Sequence, residues 1–246
     1  MEDMIYGRNP VLEAVEAGHE INKALVLEGS RDKNLQKVID ALKSKKIQIQ
    51  FTDRKQLDKI SNGENHQGVI VYVAPYKYYE VEEILEKAAE KEEAPLIILL
   101  DEITDPHNLG SVIRTANAVG AHGVIIPKRR SAAVNQTVVK TSCGAVEYVP
   151  VARVTNMTQT IKKLQDAGVW IVGTDMGAPT YYETNLTGGI GIVIGNEGDG
   201  ISRLVKESCD LMVSLPMKGE VSSLNAAVAG SVIMYEVLRQ RNTSKK

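Results

Sequence analysis

Short apolar runs alternate along this chain with stretches whose apolar residues recur at helical spacing. In NPVLEAVEAG (residues 9–18), Val11, Leu12 and Val15 share a face, Pro10 suits a first helical turn and Gly18 a stop. KALVLEG reads as a strand. NLQKVIDALKSKK predicts a helix with Leu35, Val38, Ile39 and Leu42 inward, and IQIQFTD alternates as a strand does. GVIVYVAPY (residues 68–76) is a further buried strand, which completes an α/β unit over residues 1–74. The next segment changes character. Between Pro75 and Ala94 three Lys stand against seven Glu, a local charge of −4, and such a run reads as a solvated linker helix over residues 75–94.

Alternation resumes at Pro95 and defines a second domain over residues 95–246. LIILLD is an apolar strand, and LGSVIRTANAVG places Val112, Ala116 and Val119 on one helical face. GVIIP, VWIVGTD, GIGIVIG and DLMVSLPM are further strands; VTNMTQTIKKLQDAG is a helix, and SLNAAVAGSVIMYEVLRQR is a long terminal one. Residues Asn242 to Lys246 read as a frayed polar tail. Alternation of this kind predicts an α/β fold with a mostly parallel sheet covered by helices on both faces. Ligands in such sheets gather beyond the carboxyl ends of the strands.

Composition narrows the function classes. The chain has 246 residues, 43% hydrophobic and 24% charged, but one Trp and one Phe, so aliphatic side chains must fill the cores. A net charge of −2 gives no global attraction to nucleic acid, and any RNA must be met by local basic patches. Cys143 and Cys209 have neither metal-ligand spacing nor a disulfide pattern, which predicts reduced thiols and no metal. The start, MEDMIYGRNP, lacks the regions of a signal peptide, and no run nears the ~18 apolar residues of a membrane span. A soluble cytoplasmic protein with no membrane partner is expected.

Three stretches follow predicted strands and carry polar residues that core packing does not request: DPHNLGSVIRTA, GNEGDGIS and LPMKGEVSSLNAAVA. Each residue has a structural alternative. Asn108 suits a helix N-cap, as do Ser223 and Asn225. Arg114 suits a surface ion pair, and Glu197 a helix start, where a carboxylate favours the macrodipole. His107 reads as a loop residue. The glycine-rich turn GNEGDG resembles a phosphate cradle, yet Glu197 and Asp199 would repel phosphate.

Taken in order, NLGSVIRTA, IVIGNEGDGIS and LPMKGEVSSLNAAVA resemble the three motifs of the SpoU (TrmH) family of RNA 2′-O-ribose methyltransferases, within the SPOUT class. TSCGAVEYVPV resembles the segment between the first two. YGRNPVLEAV and NHQGVIVYV are similar to the substrate-binding domain, like ribosomal protein L30e, that many members carry, and the full-length similarity is to bacterial 23S rRNA guanosine-2′-O-methyltransferases.

The resemblance implies S-adenosylmethionine as cofactor, a C-terminal trefoil knot, and a homodimer that pairs through the knotted domain and sets Arg114 of one chain beside the cofactor of the other. It implies Asn108, Arg114, Glu197, Ser223 and Asn225 as catalytic, with Arg114 activating the 2′-hydroxyl. Because a guanidinium stays charged, Arg114 is expected instead to bind the adjacent phosphate and Glu197 to orient the arginine or relay the proton. Thr174, Gly195, Asn196, Gly198, Leu215 and Leu224 would bind cofactor, which is a cation without phosphate. Arg8 and Gln67 of the first domain, with Tyr6, Gly7, Asn65, His66 and Gly68 near them, are candidate RNA contacts. Lys128, Arg129 and Arg130 form a candidate phosphate patch whose alternative is a solvated loop. Ribosomal RNA, 23S in particular, is the implied partner. Transfer RNA, or a non-catalytic role in RNA binding or ribosome assembly, is the alternative.

Overall fold

The computed structural model describes residues 3–16, 21–73, 76–220 and 223–244, and it divides into two compact units, Met1–Lys77 and Tyr78–Lys246. In the first unit the elements run β1 (Asp3–Tyr6), α1 (Arg8–Glu16), β2 (Ile21–Leu27), α2 (Lys33–Ser44), β3 (Ile49–Thr52), α3 (Arg54–Ser61) and β4 (Val69–Val73). The sheet order is β1-β4-β2-β3, antiparallel except for the parallel pair β2–β3. Strand alternation sends Val26, Val69 and Val71 toward Val11 and Val15 of α1 and Leu35, Val38 and Leu42 of α2. Leu25 and Ile70 pack with Leu57 of α3. That helix leaves little trace in the apolar pattern: it is eight residues long, and only Leu57 and Ser61 are buried. Its start is set by Asp53, which accepts from Gln56 N at 2.9 Å. The expected stop at Gly18 and the strand's continuation through Ala74 and Pro75 lie outside the described residues.

The second unit begins with a correction. The acidic segment expected as a linker contains α4 (Val81–Glu90), whose Val81 and Ile84 enter the core of this unit. Ile84 is fully buried, lying so close over Gly123 that a Cβ there would come within 2.5 Å of its Cδ1. Much of the charge run is therefore the solvent face of an amphipathic helix, whose four glutamates conceal an apolar stripe at i, i+3 and i+7 (Val81, Ile84, Ala88).

Then follow β5 (Leu96–Leu100), α5 (Pro106–Ala118), β6 (Gly123–Pro127), α6 (Gln136–Thr141), β7 (Val151–Val154), α7 (Met157–Asp166), β8 (Trp170–Thr174), β9 (Ile190–Ile194), α8 (Arg203–Glu207), β10 (Leu211–Val213) and α9 (Ala226–Ser244). Among the described residues the six strands pair in parallel throughout, in the order β10-β8-β9-β5-β6-β7. Every residue of β5 and of β9 is buried, as expected for central strands covered on both faces. Ile97, Leu99 and Val193 pack with α4, α7 and α8. Ile194, of opposite parity to Val193, meets α9 at Gly230, where a Cβ would lie 2.2 Å from its Cδ1. The expected frayed tail is also corrected: α9 continues through Asn242 to Ser244, and only Lys245 and Lys246 lie outside the described residues.

Candidate active site at the carboxyl ends of the central strands

From β5 the chain steps to β6 and β7 on one side of the sheet, and it later fills the other side with β8, β9 and β10. The connections leaving β5 and β9 therefore diverge, and the crevice between them is where a parallel sheet offers a ligand site. After β5, Asp105 caps α5 by accepting from His107 N at 2.9 Å, and Pro106 fills the first turn. Asn108 is thus not the cap. It sits within the first turn, its carboxamide available for another use.

After β9 comes a tightly closed loop. Asn196 and Gly200 exchange backbone hydrogen bonds of 3.1 Å each way, and Asn196 Oδ1 accepts from Gly198 N at 2.8 Å and Asp199 N at 2.7 Å. Only glycine fits at 195, because a Cβ would lie 2.1 Å from the carbonyl carbon of Gly200. The Asn196 side-chain oxygen and the Gly198 amide are thus engaged in holding the loop's shape.

The loop presents Glu197 to two carboxamides. Glu197 Oε1 accepts from Asn108 Nδ2 at 3.0 Å and closely from Asn225 Nδ2, which also reaches Asn108 Oδ1 at 2.9 Å. Asn225 Oδ1 in turn accepts from Ala227 N (3.0 Å) and Val228 N (3.2 Å), so this residue caps α9 and binds Glu197 at once. The carboxylate sits at the positive end of α9, with Ala226 N 3.4 Å from Oε1. Residues from three distant stretches, 108, 197 and 225, meet at one point.

Arg114 and Ser223 are exposed, and neither side chain makes a hydrogen bond or ion pair among the described residues. No hydrogen bond or ion pair joins Glu197 to Arg114 among the described residues. Thr174, Gly195 and Leu215 follow or end the adjacent strands β8, β9 and β10, on one rim of the sheet; Thr174 Oγ1 donates to Val193 O at 3.5 Å. Leu224 directly precedes Asn225 and is 38% exposed.

Beyond β6 on the same edge, Lys128, Arg129 and Arg130 are exposed. Arg130 Nη1 pairs with Glu102 Oε1 at 3.1 Å, and Arg153, stacked 5.4 Å from the Tyr78 ring centre, donates from Nη2 to Lys128 O at 3.1 Å. In the first unit, Arg8 pairs with Asp32 at 2.8 Å and donates from Nε to Gln67 O at 3.0 Å; its amide donates to Gln67 Oε1 at 3.2 Å. Arg8 and Gln67 line a cleft of about 380 Å³ together with Arg54, Asn65 and His66. His66, buried, accepts from Gly68 N at Nδ1 and faces Asp58 through Nε2 at 2.8 Å, so it braces the turn.

Sequence reasoning passes over Asp101, which reads only as the end of a strand, although it is 5% exposed at the mouth of the crevice. A carboxylate ending an otherwise apolar buried strand is the signal that could have found it. Burial holds Cys209 protonated, pushing its thiol up to about 12 with help from Asp210 and Asp101, so it is no nucleophile. No described helix is long and apolar enough to cross a membrane.

The chain matches the SpoU rRNA Methylase family over residues 95–235 and the RNA 2′-O ribose methyltransferase substrate binding family over residues 4–79. It is 46% identical over 242 residues, 98% of this chain and 96% of the relative, to YacO of Bacillus subtilis (strain 168), whose name assigns it to the TrmH family of tRNA/rRNA methyltransferases. Among solved structures, the SpoU methyltransferase AviRb of Streptomyces viridochromogenes, in complex with AdoMet, is similar at a TM-score of 0.77 and 29% identity, over 98% of this chain and 91% of AviRb. The TrmH/SpoU tRNA modifying enzyme of A. aeolicus is similar at 0.58 and 29% identity, over 66% of this chain and 81% of its own.

Proposed function

We propose that the chain, which belongs to the SpoU family of RNA methyltransferases, uses S-adenosylmethionine to methylate a ribose 2′-hydroxyl, with a guanosine of 23S ribosomal RNA as its substrate. The observation that carries the reading is the junction of Asn108, Glu197 and Asn225 in the crevice between β5 and β9. The residues fit the cofactor's chemistry. Glu197 and Asp199 suit a cationic ligand without phosphate, and the glycines of the loop allow close main-chain approach. Gly195, Leu215 and Leu224 would hold its adenine end, Thr174 its ribose, with Asn196 and Gly198 maintaining the loop.

When bound, S-adenosylmethionine supplies an activated methyl group, so the transfer is an in-line displacement in which the oxygen–carbon bond forms as carbon–sulfur breaks and sulfur keeps the electron pair. The protein's duties are to place the ribose oxygen and to accept its proton. Arg114 does not act as the base, because a guanidinium has a pKa above about 12 and stays charged. It binds the phosphate next to the target ribose and stabilises the developing alkoxide. Glu197 keeps Oε2 without a hydrogen bond among the described residues, and that oxygen receives the proton. Asn108 and Asn225 fix its direction, while Ser223 flanks the substrate.

Two chains pair through a C-terminal trefoil knot, so that Arg114 of one chain serves the cofactor held by the other. Arg114 has no partner among the described residues of its own chain, and Val228 (49% exposed) and Tyr235 (52%) form an uncovered apolar stripe two turns apart on α9. Lys128, Arg129 and Arg130 bind phosphate, and Arg8 and Gln67 belong to the RNA-binding face of the first unit.

Incubation with radiolabelled S-adenosylmethionine and deproteinised 23S, 16S and transfer RNA, each separately, tests the substrate. Label on 23S RNA alone is expected. Label on transfer RNA instead, or none on any RNA by a protein that binds the cofactor, contradicts the reading; the second result favours a non-catalytic RNA-binding role.

A further inference from the structure

We infer that Asp101 is a positioning residue that latches both stems of the loop carrying Glu197. Its backbone N–H donates to Ile194 O at 2.9 Å, the last residue before the loop. Its carboxylate Oδ2 accepts from Ser202 N at 2.7 Å, directly after the loop. One residue therefore pins the chain where it leaves β9 and where it returns toward α8. Asp101 is 5% exposed and follows the central strand β5, whose residues are all buried, so the anchor is set in the interior of the unit.

The rest of the loop transmits this restraint. Between the pinned stems, the paired Asn196 and Gly200 backbones and the Asn196 side chain close the turn, leaving Glu197 at its tip. Nothing within the turn itself aims Glu197 at Asn108. The two stems set where the turn presents Glu197 to the carboxamides that hold it, and Asn108 lies seven residues beyond Asp101 on the connection that forms the other wall of the crevice. Base and tip of the Glu197 loop are thus both gripped by one stretch, Asp101 to Asn108. Asp101 acts through Glu197; the inference rests on the methyl-transfer reading above for its consequence though not for its geometry.

The test compares Asp101→Ala, Asp101→Asn and Glu197→Gln with the double variant Asp101→Ala/Glu197→Gln in the full chain at saturating cofactor, after thermal unfolding shows each to be folded. Asparagine keeps an oxygen that accepts the Ser202 hydrogen bond, so Asp101→Asn should stay within about threefold of the parent turnover. Asp101→Ala should lose roughly tenfold or more, as displaced catalytic groups do. In the Glu197→Gln background, adding Asp101→Ala should change turnover by less than about threefold, because the two residues act as one unit. Losses that multiply, or an Asn variant as impaired as the Ala variant, overturn the inference.

Hydrogen exchange at the Ser202 amide reads the latch even if the parent protein labels no RNA. Exchange faster by about tenfold in Asp101→Ala, with protection kept in Asp101→Asn, supports it. Equal exchange in all three proteins overturns the latch whatever the activity.

Discussion

Glu197 and Arg114 occupy opposite electrostatic situations. Two carboxamides and a helix terminus converge on one oxygen of Glu197, while Arg114 projects its guanidinium with no partner among the described residues. A fork that must meet a phosphate cannot be replaced by a point charge, so Arg114→Lys should lower turnover roughly tenfold or more, measured as kcat with the fold unchanged. A near-normal rate would remove Arg114 from the mechanism. Gly195→Ala inserts a Cβ against the Gly200 backbone at 2.1 Å and should cost about 1–3 kcal/mol by thermal unfolding, together with cofactor binding. The cysteines should separate in reactivity. Cys143 is exposed, whereas the thiol of Cys209 is raised to about 12, so alkylation at pH 8 followed by mass spectrometry should modify Cys143 and spare Cys209. Much of the site is legible at the level of residue identity: Asn108, Glu197 and Asn225 stand out in the sequence as polar residues beyond strands. Their mutual bonding is not, since residues 117 positions apart leave no periodic signal of proximity.

At the scale of elements, apolar periodicity foretells the central strands and the amphipathic helices well, and it fails where the signal is short or masked by charge. Helix α4 is the clearest case. Its glutamates suggest a linker, yet Ile84 is fully buried over Gly123. Ile84→Ala should therefore destabilise the second unit by about 2–5 kcal/mol in denaturant unfolding, where a linker residue would change nothing. Strand β7, four residues long at the sheet edge, and helices α3, α6 and α8, of five to eight residues, fall below the length at which spacing distinguishes one element from another. Helix α9 carries a pH-dependent tie. Glu236, only 7% exposed, accepts two hydrogen bonds from Arg239 and one from Gln240, and the Arg239 bonds are the main cause that lowers its carboxyl below the usual glutamate value. A depressed carboxyl stabilises the folded state above its unfolded pKa and loses that contribution as pH falls through the folded value. The melting temperature should fall through this acid range, and Glu236→Gln should flatten that limb.

Over the whole molecule, a net charge of −2 leaves RNA attraction to local patches. Replacing Lys128, Arg129 and Arg130 by alanine should shrink the dependence of log affinity on log salt by roughly one unit for each phosphate left without its cation. The two-unit organisation and the all-parallel second sheet are legible from alternation, whereas the order β10-β8-β9-β5-β6-β7, which sets the crevice between β5 and β9, is a property of chain crossing that no local pattern encodes. The central claim is that this crevice directs a methyl group to a ribose oxygen and not to a base. Alkali cleaves RNA through the 2′-hydroxyl, so RNA labelled by the protein from radioactive S-adenosylmethionine should, after alkaline hydrolysis, release its label in an alkali-resistant dinucleotide. Label recovered in mononucleotides would place the methyl group on a base and contradict the claim.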